Sequence, residues 1–228
     1  MSLVIPLYRE IAGLSKLLST LEPFVGLHEL IFVDGFSDDG TYESLVGAGI
    51  GAVLRAPACR PVQMNVGAKS ASGHLLLFLH ADTELEPEHP ELALLAIDRG
   101  ADAGAFALRI ESRDPRLRAA SWLISARTRL MRSATGDQAL FVRREVFESL
   151  GGFREDHPLC EDLDFVGRLI DRRGLGRFAF VPKEVKTSAR RWEKSGVSRT
   201  IALMWGLRTA FHLGVPPDRL ARFYETVR

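Results

Sequence analysis

The sequence predicts an α/β fold in which a mainly parallel central sheet is flanked by helices. Short apolar runs alternate with segments of helical periodicity through residue 80, an alternation typical of parallel sheets. The run 75–79 holds five large apolar residues in a row, as expected of a strand that is buried on both faces. One aspartate follows this strand and another ends an earlier strand, at the edge where open α/β sheets bind ligands.

The first part of the chain alternates strand and helix. We predict strands at 3–5, 28–34, 52–55 and 75–79, and helices at 11–21, 42–46 and 62–72. In the first helix, Leu14, Leu17 and Leu21 recur at the spacing that places them on one face. The segment 47–52 matches a dinucleotide-binding fingerprint in its letters, but it follows a helix and opens a strand. We therefore interpret its glycines as a helix end and a turn.

The rest of the chain is less regular. We predict helices from Pro87 to near Gly100 and at 115–131, 144–150 and 161–170, strands at 103–110, 138–142 and 178–181, then a basic loop and two C-terminal helices. The sequence contains no internal repeat, low-complexity tract or linker. We therefore expect one domain over residues 1–228, which is long enough to bury a sizeable core.

Composition and charge exclude several classes of protein. The net charge of +1 lacks the surplus of cations that nonspecific binding to nucleic acid requires. Cys59 and Cys160 form no close-spaced pair, so we expect neither a disulfide framework nor a zinc site. Such cysteine usage fits a reducing cytoplasm.

Targeting and membrane segments are not expected either. The predicted strand at 3–5 leaves no room for a signal peptide before it, and no apolar run approaches the ~20 residues that span a bilayer. The segment 201–213 is interrupted by Arg208, so we predict a packing helix there. A peripheral contact with the inner face of the membrane and a homodimer both stay open.

Three groups of carboxylates stand at predicted strand ends or helix starts: Asp34, Asp82 and the cluster Glu161, Asp162 and Asp164. Two aspartates that end parallel strands suit a nucleotide together with a hard divalent cation. The third group stands where a general base would be useful. Taken singly, each carboxylate is explained equally well by turn formation or helix capping.

The order of these motifs resembles that of family 2 inverting glycosyltransferases of the GT-A fold. Residues 4–10 are similar to the family's IP.YNE start, residues 33–41 to VDDGSSDGT, and Asn65 through residue 83 to N.G...A.G....LDADT. Residues 151–153 followed by Glu161 and Asp162 are similar to GGF…ED. The form of residues 78–83 and 187–192 resembles more closely a bacterial subgroup found beside radical-SAM and selenoprotein-type domains.

This resemblance implies an activity and a set of roles. A sugar would pass from a UDP- or GDP-linked donor to an unidentified acceptor hydroxyl with inversion, and Asp162 would be the base. A divalent metal, Mn²⁺ or Mg²⁺, would be bound by Asp82 and His80. The expected nucleotide-binding residues are Pro6, Tyr8, Glu10, Asp34, Arg60, Gln63, Asn65 and Ala81. The expected acceptor or diphosphate loop contains Asp137, Gln138, Glu161, Arg190, Arg191 and Trp192.

The resemblance also divides the domain into a nucleotide-binding half at about 1–100 and an acceptor and catalytic half at about 101–228. Arg60, Gln63 and Asn65 are polar residues at a helix start that could face an anion. The alternative is that they form a solvated helix face. Asp164 is expected to support the site by pairing with Arg168 at the i+4 spacing.

Four positions depart from the family's pattern: Arg9 for Asn, Gly35 for a second Asp, His80 for the first acid of the DxD motif, and Ser188 for the Gln of QxxRW. Neutral imidazole is a poorer ligand than carboxylate for Mg²⁺ but an acceptable one for Mn²⁺. A non-catalytic sugar-nucleotide binder of the same fold is therefore a second hypothesis. A nucleotidyltransferase is a third, disfavoured because no Gly-rich basic loop follows the first strand.

Overall fold

The computed structural model describes residues 1–224, which form an eight-stranded mixed sheet with helices on both faces. The strands are β1 (Ser2–Leu7), β2 (Glu29–Asp34), β3 (Ala52–Arg55), β4 (Leu75–Phe78), β5 (Thr83–Glu84), β6 (Ala103–Glu111), β7 (Phe141–Arg143) and β8 (Phe178–Ser188). Their order is β3-β2-β1-β4-β7-β6-β8-β5. The first four run parallel, β7 is antiparallel to both neighbours, and β8 is parallel to β6 and antiparallel to β5.

The helices are α1 (Ile11–Leu21), α2 (Thr41–Ala48), α3 (Arg60–Ser70), α4 (Glu88–Asp98), α5 (Pro115–Met131), α6 (Arg144–Ser149), α7 (Glu161–Arg173), α8 (Arg190–Ser195), α9 (Val197–His212) and α10 (Pro217–Ala221). Short 3-10 turns lie at Glu22–Phe24, Gly136–Gln138 and Leu175–Arg177. Within residues 1–224, none of the helices combines the length and the apolar character that crossing a bilayer requires.

The core has two main layers, one on each face of the sheet. Because successive side chains of a strand point to opposite faces, β1 gives Leu3 and Ile5 to the layer under α1, α4 and α5. It gives Val4 to the layer under α3, α6 and α7. Gly67 lets α3 approach this second face closely, since a Cβ there would stand 2.4 Å from Cγ1 of Val4. The carboxyl ends of β1, β2 and β4 therefore meet at one well-supported edge.

The structure corrects several predicted elements. β8 continues to Ser188, where the sequence predicted a basic loop after 181, because it pairs with β6 along its length and then with β5. Lys183 and Lys186 in this stretch form ion pairs with Glu86, so a polar segment is held in the sheet. The strand predicted from 138 begins at Phe141. Three C-terminal helices replace the predicted two, because Gly196 with φ +84° separates α8 from α9.

The helix end predicted at residues 47–52 is confirmed. Gly49 follows α2 with φ +63°, the left-handed conformation that closes many helices and that glycine adopts without strain. β3 begins at Ala52, three residues further on. The glycines therefore serve the turn from α2 to β3, and no helix follows them as a dinucleotide site would need.

Candidate active site

A cavity of about 670 Å³ opens at the edge where β1 and β4 end. Its wall includes the loops after these strands, the start of α3, the turn at 135–137, the start of α7, the end of β8 with α8, and one side each of α5 and α9. Both halves of the chain thus contribute to it. Fourteen of the residues singled out from the sequence line it: Pro6, Tyr8, Glu10, Arg60, Gln63, His80, Ala81, Asp82, Asp137, Glu161, Asp162, Arg190, Arg191 and Trp192.

Asp34 ends β2 at the same edge of the sheet as Asp82, but its side chain is fully buried and does not line the cavity. One carboxylate oxygen accepts the N–H of Ser37 at 2.9 Å and lies 3.7 Å from Nε of Arg55. Among the residues that the structure describes, the other oxygen is buried and has no hydrogen-bond partner. The expectation that both aspartates open into one cleft is therefore corrected: they share the edge, while Asp34 braces the turn that follows β2.

Asn65 also lies outside the cavity wall. Its amide accepts the N–H of Phe153 at 3.0 Å and donates to the carbonyl of the same residue at 2.9 Å, which ties α3 to the 151–153 turn. Gln63 reaches the wall, but its Nε2 donates to the carbonyls of Leu7 at 2.7 Å and Val33 at 2.8 Å. Both amides hold neighbouring backbone together, and neither forms the solvated helix face considered as the alternative.

Gln138 is buried beside the cavity, where it braces its own turn. Its Nε2 donates to the carbonyl of Phe106 at 2.8 Å, and its Oε1 accepts the hydroxyl of Thr128 at 2.8 Å. The turn at 136–138 is thereby fixed against β6 and α5. This fixed turn carries Gly136 and Asp137 into the cavity wall.

Two departures from the family pattern lie in the loops that follow β1 and β2. Arg9 has φ +53°, a region in which Asn is enriched and most other residues are rare, and its guanidinium pairs with Asp38 at 2.6 Å. Gly35 stands where a Cβ would lie 3.0 Å from Cβ of Ala58 and 3.1 Å from Cδ2 of Tyr8. An aspartate at position 35 would have to displace one of them.

Asp82 and His80 stand together in the cavity wall. Burial, together with the positive charges of Arg60 and Arg191, lowers the pKa of His80 well below its usual value, so the imidazole is neutral at pH 7. Within residues 1–224, no three His, Cys, Asp or Glu side chains are arranged to hold a metal ion by themselves. The pair nevertheless fits a cation that takes its remaining ligands from a bound diphosphate, as Mg²⁺ often does.

The carboxylate of Asp162 is held in a fixed orientation at the start of α7. One oxygen accepts the N–H of Gly136 at 2.6 Å and the other the N–H of Leu163 at 2.7 Å. Gly136 also touches His80, since a Cβ at position 136 would stand 2.5 Å from the histidine Nε2. The 136 turn therefore links the side chain that follows β4 to the carboxylate that begins α7.

Two further carboxyls surround Asp162. Glu161 is buried, with Nη1 of Arg60 3.4 Å from its Oε1. Burial raises the pKa of Glu161 to about 7 in spite of Arg60, and the negative charge of Asp162 adds to the rise. Burial likewise raises the pKa of Asp137, and Asp162 contributes again.

Asp164 pairs with Arg168 at 2.7 Å, as the i+4 spacing predicts. Arg168 in turn donates to the carbonyls of Leu150 and Gly152, both at 2.7 Å. This ion pair thus fixes the start of α7, and with it Asp162, against the turn at 151–153.

The far wall of the cavity is built by α5 and α9 and was not predicted from the sequence. Arg127 and Arg208 stand there among apolar side chains. Two signals were present in the sequence: the basic character of α5 and the single arginine that interrupts the apolar run 201–213. Neither shows which side of its helix faces a ligand.

Comparison with protein families matches residues 2–142, more than half of the chain, to the model described as Glycosyl transferase family 2. The chain belongs to glycosyl transferase family 2. The match includes the β1, β2 and β4 ends and thus the strand edge of the cavity.

Solved structures of GT-A glycosyltransferases share the fold of this family 2 chain. S. aureus TarS 1–349 in complex with UDP-GlcNAc superposes with a TM-score of 0.66 at 17% identity, over 82% of this chain and 58% of that one. Glucosyl-3-phosphoglycerate synthase from Mycobacterium tuberculosis in complex with Mn²⁺, UDP and phosphoglyceric acid superposes with a TM-score of 0.64 at 19% identity. The superposition covers 94% of this chain and 78% of that one. The chain spans about 60% of the TarS segment. No curated protein matches it in sequence.

Proposed function

We propose that this family 2 glycosyltransferase moves a sugar from a UDP- or GDP-linked donor to an acceptor hydroxyl, with inversion and with the help of a divalent cation. One observation carries the proposal. Asp82, at a strand end, and Asp162, at a helix start, face the same cavity from the two halves of the chain. Residues of about 1–100 would bind the donor, and residues of about 101–228 would supply the base and the acceptor site.

The donor end is argued from its surface and charge. Pro6, Tyr8 and Ala81 offer apolar surface for a base or ribose, and Glu10 lies beside them in the wall. Arg60 and Arg191 supply positive charge there, which their lowering of the His80 pKa reflects. A diphosphate near Asp82 would thus meet two guanidiniums. UDP is present in the TarS and mycobacterial structures, which supports a uridine donor.

The transfer step would use the fixed carboxylate of Asp162. Its two backbone hydrogen bonds aim it into the cavity, within reach of an acceptor hydroxyl whose proton it would accept. The acceptor oxygen would attack the anomeric carbon from the side opposite the diphosphate, which leaves with the bonding electrons, so the configuration inverts. A cation held by Asp82 and His80 would neutralise charge on the departing diphosphate.

Two lesser proposals complete this assignment. The form of residues 78–83 and 187–192 supports membership of the bacterial subgroup associated with radical-SAM and selenoprotein-type domains, which does not identify an acceptor. The two free cysteines support a reducing, cytoplasmic location.

Calorimetry with UDP, GDP and ADP, each with and without Mn²⁺ or Mg²⁺, tests the donor site. We expect UDP or GDP to bind more tightly than millimolar only when the cation is present. Asp82→Asn should abolish that metal-dependent gain, whereas Asp98→Asn, on the exposed end of α4, should not change it. If no nucleotide binds more tightly than millimolar, the proposal fails.

The neutral His80 in place of an acid favours a second candidate, a sugar-nucleotide binder without transferase activity. Release of UDP from UDP-sugars, measured alone and with a panel of acceptors, separates the two. Binding without any release would favour the non-catalytic protein.

A further inference from the structure

Two arginines meet at the far end of the cavity, away from the strand ends. Arg127 on α5 donates through Nε to the carbonyl of Ser133 at 3.1 Å, and Arg208 on α9 donates through Nη2 to the hydroxyl of the same serine. Both side chains line the cavity. Over residues 1–224, one terminal nitrogen of each guanidinium, Nη2 of Arg127 and Nη1 of Arg208, is buried and has no hydrogen-bond partner.

The charges of these arginines are not compensated by a close carboxylate. Over residues 1–224, neither guanidinium lies within 4.0 Å of an Asp or Glu oxygen, the distance of an ion pair. Burial lowers the pKa of Arg127. Burial and the charge of Arg127 together lower the pKa of Arg208 to about 10. An unpaired buried charge is costly, and two side by side cost more.

The position of the pair points to the acceptor. Asp162 is a favourable negative charge for both guanidiniums, so they lie beside the proposed base. Arg60, whose pKa the charge of Asp162 also raises, acts together with Arg191 on His80 at the strand edge. The cavity thus has one cationic group at the donor end and a separate one beyond the base.

The wall around the arginine pair is apolar. Helices α5 and α9 supply Leu123, Ile124, Ile201, Met204, Trp205 and Leu207. A hydrophilic sugar acceptor would gain little from such a wall, whereas an apolar body would be removed from water on it.

We propose that the acceptor is an anionic amphiphile: Arg127 and Arg208 bind a phosphate or carboxylate on it, and α5 and α9 pack against its apolar body. The planar guanidinium matches both anions through paired N–H donors, and both guanidiniums belong to side chains that line the cavity. Naming this ligand the acceptor rests on the proposed function; the anion site itself does not.

Calorimetric titration of hexyl phosphate, inorganic phosphate and hexanol tests the site, with and without saturating UDP and Mg²⁺. We expect hexyl phosphate to bind at least tenfold more tightly than inorganic phosphate, with hexanol the weakest, and to do so while UDP is bound. Arg127→Gln and Arg208→Gln should each weaken hexyl phosphate binding at least tenfold. Arg129→Gln on α5 and Arg199→Gln on α9, both exposed, are matched controls that should leave it unchanged.

Stability gives a second readout. Because each substitution removes one of two neighbouring like charges that lack an ion-pair partner within 4.0 Å, the melting temperature of Arg208→Gln should equal or exceed that of the wild type. A clear fall would show that the pair is a structural element and would overturn the inference.

The remaining outcomes are also decisive. If the variants and their controls lost the same affinity for hexyl phosphate, the separate anion site would be overturned. It would also be overturned if UDP displaced hexyl phosphate. If inorganic phosphate bound as tightly as hexyl phosphate, the proposed packing of α5 and α9 against an apolar body would be contradicted. Arginine-dependent binding of hexyl phosphate without any nucleotide binding would support the anion site and contradict the proposed function. Nucleotide binding without arginine-dependent binding of hexyl phosphate would overturn only this inference.

Discussion

The arginines at the two ends of the cavity differ in whether they have an ion-pair partner. At the strand edge, Arg60 is paired with Glu161, and this pairing raises its pKa even though burial acts against it. At the helical end, burial and the charge of the neighbouring Arg127 lower the pKa of Arg208 to about 10. The donor end is therefore largely assembled by contacts inside the protein, while the acceptor end keeps donors free. We infer that the donor end is preorganised and the acceptor end is completed by its ligand.

The largest effect is expected between the two ends, at Asp162. Removing a general base typically costs 10²–10⁴-fold in rate. Asp162→Asn should reduce release of UDP from a UDP-sugar by that factor while leaving UDP affinity nearly unchanged. Asparagine has one side-chain oxygen for the two N–H groups of Gly136 and Leu163, so stability should fall by about 1 kcal/mol.

Asp171→Asn, on the exposed part of the same helix, is the matched control and should keep full turnover. Full turnover in Asp162→Asn would show that this carboxylate only stabilises the start of α7.

A smaller but still large loss is expected from Gly136→Ala. The new Cβ would stand 2.5 Å from Nε2 of His80, so the histidine or the 136 turn must move, and the hydrogen bond to Asp162 would lengthen. We expect at least a tenfold loss of turnover in the UDP-release assay. Gly167→Ala has open space on α7 and should preserve turnover with a gain of about 0.5–1 kcal/mol in stability. Wild-type turnover in Gly136→Ala would show that the turn does not position the base.

The pairing at the donor end can be tested through pH. Because burial raises the pKa of Glu161 from 4.5 to about 7, the folded state holds this proton more tightly than the unfolded chain. Its contribution to stability is therefore most favourable below pH 4.5 and declines as the pH rises to about 7, by on the order of 3 kcal/mol. Glu161→Gln should gain in melting temperature relative to the wild type between pH 5 and pH 8.

The matched control for this profile is Glu145→Gln, an exposed residue on α6, which should follow the wild type at every pH. A constant difference between Glu161→Gln and the wild type across this range would contradict the buried, proton-holding state of Glu161.

The smallest effect on activity is expected from the bracing amides. Gln63→Ala would remove the amide donor to the carbonyls of Leu7 and Val33, of which the Leu7 carbonyl keeps the N–H of Gly35. Asn65→Ala would remove the amide donor to the carbonyl of Phe153. Each should cost about 1–3 kcal/mol in the free energy of unfolding, measured in urea, with unchanged turnover per folded molecule. A loss of turnover at unchanged stability would show that these residues act in the binding site instead of bracing the backbone.

These contrasts show what the sequence could predict. The β1 to β4 region followed from local periodicity, because each of its strands is an apolar run and several of its turns contain a glycine. The role of a motif residue did not follow in the same way. An amide such as Asn65 or a carboxylate such as Asp34 serves equally well to bind a ligand or to hold a loop, and only the positions of its partners decide between the two.

Parts of the sheet and of the cavity wall escaped prediction for two physical reasons. β5 is two residues long, and the end of β8 is polar, so both depend on pairing with distant strands. Arg127 and Arg208 come from separate helices, and only the packing of α9 near α5 brings them to one serine. Neither the long-range pairing nor the shared serine leaves a pattern in the local sequence.

A crystal structure with UDP and Mn²⁺ bound tests the central claim, the division of the cavity into a donor end and an acceptor end. We expect the diphosphate between Asp82 and Arg191, with the base near Tyr8, and both free nitrogens of Arg127 and Arg208 still without a nucleotide contact. A diphosphate bound by Arg127 and Arg208, or a nucleotide lying along α5 and α9, would contradict the account.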